Sequence, residues 1–169
     1  MLTNISNEKI TMNALDDLLF QDLAYELDDY ISSSPNPKEE YKNNVIPFFI
    51  TGFKYFNDIL NTQEKTIFSN IEAVWNAPGP IDTHALEKIR KEVSNYKKTL
   101  PIDNIIHRYL ASGLDRLTYQ FISESEVPVS LIWLYLSSLI RASISRSWLY
   151  NNLIERYSLH LSDKFKTNF

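Results

Sequence analysis

Residues 127–150, VPVSLIWLYLSSLIRASISRSWLY, form a stretch that is apolar almost all the way round a helical wheel. A helix without a polar face must be surrounded by other elements. Arg141 breaks the apolar run after about fourteen residues, whereas a membrane span needs roughly twenty. The stretch therefore predicts a central helix over about 127–150, buried inside an all-α domain rather than embedded in lipid.

The residues just before this stretch predict where the helix begins. Pro128 is tolerated in a first turn, because that N–H has no helical partner, and Glu124 and Glu126 suit the positive end of the helix dipole. Ser137 and Ser138 interrupt the apolar surface. Their hydroxyls can bond back to carbonyls of their own helix, so they do not imply a nucleophile.

Length and composition bound the fold class. The chain has 169 residues, which suits one domain with a buried core. Its 44% hydrophobic content excludes general disorder, and 3 glycines leave little for β-turns or a phosphate-binding loop. We interpret residues 76–82, which contain Ala77-Pro-Gly-Pro80, as a long turn between helices. The prediction is a single helical domain over residues 1–169, a bundle of six to seven helices.

Two features of the sequence bear on the compartment. Cysteine is absent, which excludes disulfides and thiolate chemistry and fits a reducing compartment. The opening residues, MLTNISNEKITMN, show neither the basic nor the apolar region of a secretory signal. We expect a cytoplasmic protein that does not associate with membranes.

Charge is unevenly distributed along the chain. Residues 1–40 contain nine acidic and two basic residues, a balance of −7, and residues 41–169 contain twelve acidic and fifteen basic residues, a balance of +3. An acidic region of this size argues against general nucleic-acid binding and favours a basic protein partner. We therefore predict a protein partner and no nucleic acid.

The acidic residues concentrate on a predicted first helix over residues 13–32, in which Asn13 can cap and leucines recur at helical spacing. No basic residue lies between Lys9 and Lys38 to neutralise them. They predict either a solvated face or a docking surface for a basic partner. Asp16, Asp17 and Asp22 also have the spacing with which helical prenyl-transferring enzymes hold magnesium. Such sites need a second aspartate-rich helix, and the sequence has none. The candidate partner-binding residues are Asp16, Asp17, Asp22, Glu26, Asp28 and Asp29.

The other predicted helices are marked by residues typical of helix starts. Pro37 opens a second helix that Pro47 breaks or kinks, and Thr62 caps the next one. Asp82 or Thr83 caps a peripheral helix that reaches about residue 98. Isoleucines and leucines between residues 102 and 121 predict a wide apolar face that packs on the central helix.

The three histidines, His84, His107 and His160, are far apart in the sequence. Zinc and di-iron sites need paired ligands at helical spacing, so we predict neither a metal site nor a cofactor. His107 borders the wide apolar face, where a lone histidine can ligate haem, although a hydrogen-bonded structural histidine is the commoner role. One alternative is therefore a ligand or haem sensor with a pocket among Phe48, Phe53, Phe56 and Trp133.

Arg156 and His160 offer an enzymatic alternative. The pair resembles the arginine–histidine motif of helical RNases of the HEPN class, although those motifs are spaced more widely than Arg156-Tyr-Ser-Leu-His160. On a continuous helix the two side chains would share one face. The resemblance implies RNA cleavage with His160 as the base.

The leading hypothesis is a protein that binds and blocks another protein, without catalytic residues of its own. Arg141 and Arg146 are expected to pair with acids of the first helix or to hold the ends of the bundle. The six candidate partner-binding residues of the first helix, which we call the acidic row, would then face the basic cleft of a partner and increase the rate of association. The concrete form is a bacterial immunity protein that neutralises a basic nuclease toxin.

Overall fold

The computed structural model describes the backbone of residues 2–165 and the side chains of residues 17–165. Within these residues the chain is helical and has no strands, which confirms the all-α prediction. The helices are α1 (Leu2–Ser32), α2 (Pro37–Glu40), α3 (Ile46–Lys54), α4 (Thr62–Asn76), α5 (Thr83–Thr99), α6 (Ile105–Arg116), α7 (Leu131–Arg141) and α8 (Arg146–Tyr157). A π-helical turn (Tyr41–Val45) joins α2 to α3, and a 3-10 turn (Asp163–Phe165) follows α8. With α2 and α3 taken as one, the described part holds seven helices, within the predicted six to seven.

Helix α7 lies at the centre of the bundle and packs against α1, α3 and α6. Its Ile132, Tyr135 and Leu136 are fully buried, which confirms the interior position predicted for this stretch. The Tyr135 ring stacks on Phe49 with 4.1 Å between centroids, and its hydroxyl donates a hydrogen bond to the Phe49 carbonyl oxygen at 2.6 Å. Burying a side chain such as that of Ile132 or Leu136 stabilises the fold by about 1.5–3 kcal/mol relative to leaving it exposed.

The prediction of one continuous helix over 127–150 is wrong at its start. Pro128 lies before the helix rather than in its first turn, and α7 begins at Leu131. Ser130 is the N-cap, and its hydroxyl oxygen accepts a hydrogen bond from the Trp133 N–H at 3.3 Å. The cap satisfies a donor that the helix itself cannot pair.

The continuous helix is also interrupted between α7 and α8. Ser143 adopts a left-handed φ of 78°, which ends α7. The Ser143 N–H donates to the Ile140 carbonyl oxygen and the Ile144 N–H to the Leu139 carbonyl oxygen, both at 3.0 Å. This pair of bonds is a Schellman motif, with Ser143 where glycine is usual. The serine cap of α8, Ser145, follows at once.

Two helix starts differ from the predictions. Helix α1 ends at Ser32 as predicted but begins at Leu2 rather than at Asn13. Asn61, not Thr62, caps α4, because the Asn61 side chain accepts the Glu64 N–H while the Glu64 carboxylate accepts the Asn61 N–H. This reciprocal arrangement is a capping box.

Pro47, predicted to break or kink the second helix, does not end it. A π-helical turn, Tyr41–Val45, immediately precedes Pro47, and α3 continues to Lys54. In a regular α-helix the ring of Pro47 would clash with the carbonyl of Asn43, four residues earlier, and Asn43 lies in the π turn. The chain therefore stays helical through the proline.

The predicted turn at 76–82 corresponds to the loop that joins α4 to α5. Trp75 before this loop and Leu86 after it are both buried and belong to the same hydrophobic core. Asp82 caps α5 by accepting the Ala85 N–H at 3.0 Å, as predicted. None of the described helices combines the length and apolarity that crossing a bilayer requires.

Candidate functional site

The acidic row of α1 does not form a continuous exposed face. Asp22 and Asp29 are exposed, and Asp17 and Glu26 are partly buried. Asp28 is completely buried, so its predicted place on an exposed docking surface is wrong. The side chain of Asp16 lies outside the described residues. The row therefore divides into a surface group and one interior carboxyl group.

Asp28 connects α1 to the segment that leads into α7. One carboxylate oxygen accepts a hydrogen bond from the Ser130 hydroxyl at 3.1 Å, and the other accepts the Glu124 N–H at 3.2 Å. Burial raises the pKa of Asp28, and the hydrogen bonds from Glu124 and Ser130 oppose that rise. Because Ser130 also caps α7, Asp28 fixes the position of the helix at the centre of the bundle.

Asp17 and Glu26 have partners within the chain. The Arg146 guanidinium donates to the Asp17 carboxylate at 3.0 Å and 3.2 Å, which confirms the pairing expected for Arg146. Arg141 instead lies over the Tyr109 ring, 5.7 Å from its centroid. Glu26 accepts hydrogen bonds from the backbone N–H and the hydroxyl of Ser162.

A carboxylate from outside α1 completes the acidic surface. The carboxyl group of Glu124, which is partly buried, interacts electrostatically with those of Asp29 and Asp28. Desolvation by burial, together with repulsion from Asp29 and Asp28, raises the pKa of Glu124 to about 7. Asp22 and Asp29 are seven residues apart and lie on the same side of α1. We call Asp22, Glu26, Asp29 and Glu124 the acidic face.

Among the residues whose side chains the structure describes, no cation pairs with the exposed carboxylates of the acidic face. None of the ion pairs within residues 17–165 involves Asp22, Asp29 or Glu124. Because the pKa of Glu124 is raised to about 7, this carboxyl group carries a proton part of the time near neutral pH. A positive group placed here would relieve the repulsion and release that proton.

The raised pKa of Glu124 predicts a pH dependence of stability. Between its ordinary value of 4.5 and about 7 the folded chain binds more protons than the unfolded chain. The free energy of unfolding should therefore fall as the pH rises through this window. In the Glu124→Gln variant the free energy of unfolding should change less with pH. Urea denaturation at one pH below this window and one above it measures the difference. Glu126→Gln, in the same loop, is the control, and an unchanged slope in Glu124→Gln would contradict the assignment.

A second polar cluster lies where the ends of α4, α5 and α6 meet. Glu64 is completely buried, and the Tyr96 hydroxyl donates to its carboxylate at 3.0 Å. The His107 Nδ1 lies 2.8 Å and 2.9 Å from the two Glu64 oxygens. The Asn61 side-chain amide donates to the Tyr96 hydroxyl oxygen at 2.8 Å. We call Asn61, Glu64, Tyr96 and His107 the buried carboxylate network.

The buried carboxylate network has the form in which a carboxylate orients a histidine ring through Nδ1 and leaves Nε2 for a proton or a metal. Catalysis or metal binding would need further groups beside Nε2. Within the described residues, no group of three or more His, Cys, Asp or Glu side chains is placed to hold a metal ion. The contacts that the structure does show join three helix ends, which is a structural role.

The HEPN comparison depended on Arg156 and His160 sharing a helix face. Helix α8 ends at Tyr157, so His160 lies in the turn after it. The His160 ring stacks on Tyr30 with 4.2 Å between centroids, while Arg156 donates through Nε to the Asn44 carbonyl oxygen. The expected shared face is wrong.

The aromatic residues considered as a ligand pocket are part of the core. Phe48, Phe53 and Phe56 are at most 4% exposed. Phe53 packs on Phe68 with 4.8 Å between ring centroids and contacts Phe56 at 6.3 Å. Trp133 is partly buried against the same core. Their space is occupied by neighbouring rings, so they do not favour a haem or ligand site.

Comparison with models of protein families, with curated proteins and with solved structures found no match to this chain. Its function is therefore inferred from the geometry and charge of the described residues.

Proposed function

We propose that the chain is a protein-binding inhibitor that docks a basic partner on the acidic face. The observation that carries this proposal is that Asp22, Asp29 and Glu124 belong to none of the ion pairs within residues 17–165, although Asp29 and Glu124 repel each other. Asp22 extends the negative surface along the same side of α1, and it is exposed. Lysine or arginine side chains of a partner would supply the missing positive charge.

Electrostatic arguments favour rapid recognition through such a surface. Complementary charge raises association rates by roughly tenfold to a thousandfold over neutral surfaces, and salt screens the effect. A cation beside Glu124 would lower its pKa, so binding near neutral pH should release a proton. Affinity for a basic partner should therefore rise with pH between about pH 6 and 8.

The more specific form of the proposal is a bacterial immunity protein that acts in the cytoplasm against a nuclease toxin. The cleft of a nuclease is basic because it must bind phosphates. An inhibitor that presents carboxylates in place of phosphates would cover that cleft without catalysis of its own. The acidic face has the sign of charge that this role requires.

The test is binding to a basic nuclease domain encoded beside the gene for this chain. The triple variant Asp22→Lys, Asp29→Lys and Glu124→Lys should slow association by about tenfold to a hundredfold in stopped-flow measurements. It should also fail to inhibit nucleic-acid cleavage by that domain. Circular dichroism should report unchanged helicity.

A matched control distinguishes an effect of the acidic face on association from an effect of the net charge of the chain. The variant Asp58→Lys, Glu92→Lys and Glu155→Lys changes the charge by the same amount at three exposed positions outside the acidic face. It should associate nearly as fast as the unmodified chain. Equal rates for the two triple variants, or no binding by the unmodified chain, would contradict the proposal.

A further inference from the structure

The turn between α5 and α6 carries an open groove of about 230 Å³ that is lined by both polar and apolar side chains. Ile102 is 87% exposed and Ile105 is 58% exposed, although most isoleucines of the described residues lie in the core. Two exposed isoleucines that line one groove offer an apolar surface to a partner. The groove is lined by Lys97, Ile102, Ile105, Arg108, Tyr109 and Ser112.

The polar walls of the groove are cationic. Lys97 donates to the Ser112 hydroxyl oxygen at 2.7 Å, and Arg108 donates to the Leu100 carbonyl oxygen at 3.2 Å. Neither is in direct contact with a carboxylate among the described residues, although the charge of Lys97 opposes the rise that burial causes in the pKa of Asp115. The groove therefore suits a segment that presents an apolar side chain next to an acid.

Helix α1 of the same chain presents such a segment. Leu18 is 57% exposed, and Asp22, one turn further on, is exposed as well. Residues four apart lie on the same helix face, so the leucine and the aspartate point the same way. We propose that the groove binds α1 of a second copy of this chain, with Leu18 against Ile102 and Ile105 and Asp22 facing Lys97 and Arg108.

If α1 of each copy enters the groove of the other, the dimer is closed and has twofold symmetry. If only one groove is filled, one groove and one α1 stay free and longer assemblies form. A contact of this small size predicts weak association that increases with protein concentration and decreases with salt. Asp22 also belongs to the acidic face, so a basic partner and a second copy would compete for α1.

Sedimentation velocity of the full chain over a range of concentrations tests this inference. The weight-average sedimentation coefficient should rise with concentration, and Ile102→Asp should reduce it to the value of the monomer. Ile59→Asp, at an isoleucine that is 47% exposed outside the groove, should associate as the unmodified chain does. A concentration-independent monomer, or unchanged association by Ile102→Asp, would overturn the proposal.

Charge exchange between copies tests the pairing itself. Asp22→Lys alone and Arg108→Glu alone should each remain monomeric, because each places like charges in contact. An equimolar mixture of the two variants should associate, since the altered α1 of one variant then meets the altered groove of the other. Failure of the mixture to associate, with both variants folded by circular dichroism, would overturn the proposed pairing. Ile102→Asp leaves the acidic face intact, so its binding to a basic nuclease domain reports on the proposed function independently.

Discussion

Replacement of Glu64 by leucine is expected to lower the free energy of unfolding by about 3 kcal/mol, near the lower end of the range for a broken buried pair. The carboxylate is completely buried and accepts hydrogen bonds from Tyr96, from the Asn61 N–H and from His107. Without it these groups lose their acceptor in the interior. The lower end applies because 25% of the His107 side chain is exposed and water can still reach it. Urea denaturation followed by circular dichroism measures the change.

Three further variants show whether the effect belongs to the buried carboxylate network. Glu64→Gln keeps the shape and one acceptor oxygen, so it should lose less stability than the leucine variant. In a double-mutant cycle, His107→Ala and Glu64→Leu should be strongly non-additive, because both remove the same contact. Glu87→Leu, at an exposed carboxylate of α5, should change stability by no more than about 0.5 kcal/mol. If the leucine variants at positions 64 and 87 lost equal stability, the network would not be a major source of stability.

The central position of α7 could be predicted from sequence because its apolar residues cover every side of a helix. The end of α7 could not be predicted, because the apolar pattern continues through Ile144 into α8. The break depends on the left-handed backbone of Ser143, a conformation that glycine usually marks. Ser145, a favourable N-cap residue, is the local signal that could have located the start of α8.

The two polar clusters differ in how far the sequence could reveal them. Asn61 and Glu64 have the spacing of a capping box. The reciprocal hydrogen bonds between them could be predicted from sequence once Asn61, rather than Thr62, was taken as the N-cap. His107 meets Glu64 across 43 positions, and only tertiary packing brings the pair together. Glu124 likewise reaches Asp29 from a loop that follows α6. Contacts of this range have no signature in local composition.

The acidic row shows a related limit. A count of charges placed Asp28 with its exposed neighbours, yet Leu27 beside it and Ile31 one turn later are both buried. Three residues correspond to almost one helical turn, so Asp28 and Ile31 lie on the same side of α1. Helical position indicated burial, while residue type indicated exposure. The position decides here because the Ser130 hydroxyl and the Glu124 N–H supply hydrogen bonds in the interior.

Replacement of Asp28 by alanine should therefore cost about 2 kcal/mol, far more than the same change at Asp29. It leaves the Ser130 hydroxyl and the Glu124 N–H without their buried acceptor, and removal of a carboxyl group whose pKa is raised by burial offsets part of that loss. Asp29→Ala is the matched control, because it removes an exposed carboxylate and relieves repulsion with Glu124. Denaturation in urea measures both costs.

The pH dependence of the Asp28→Ala variant provides a second measure. The raised pKa means that the stabilisation contributed by Asp28 decreases as the pH rises above the ordinary value of 3.8. The difference in stability between the unmodified chain and the variant should therefore be largest in acid and should shrink as the pH increases. Hydrogen exchange at the Glu124 and Trp133 amides should become faster in the variant, because Asp28 holds Glu124 directly and Trp133 through Ser130. If Asp28→Ala and Asp29→Ala lowered the free energy of unfolding equally, and if the Glu124 and Trp133 amides exchanged at equal rates in both variants, Asp28 would not anchor the start of α7.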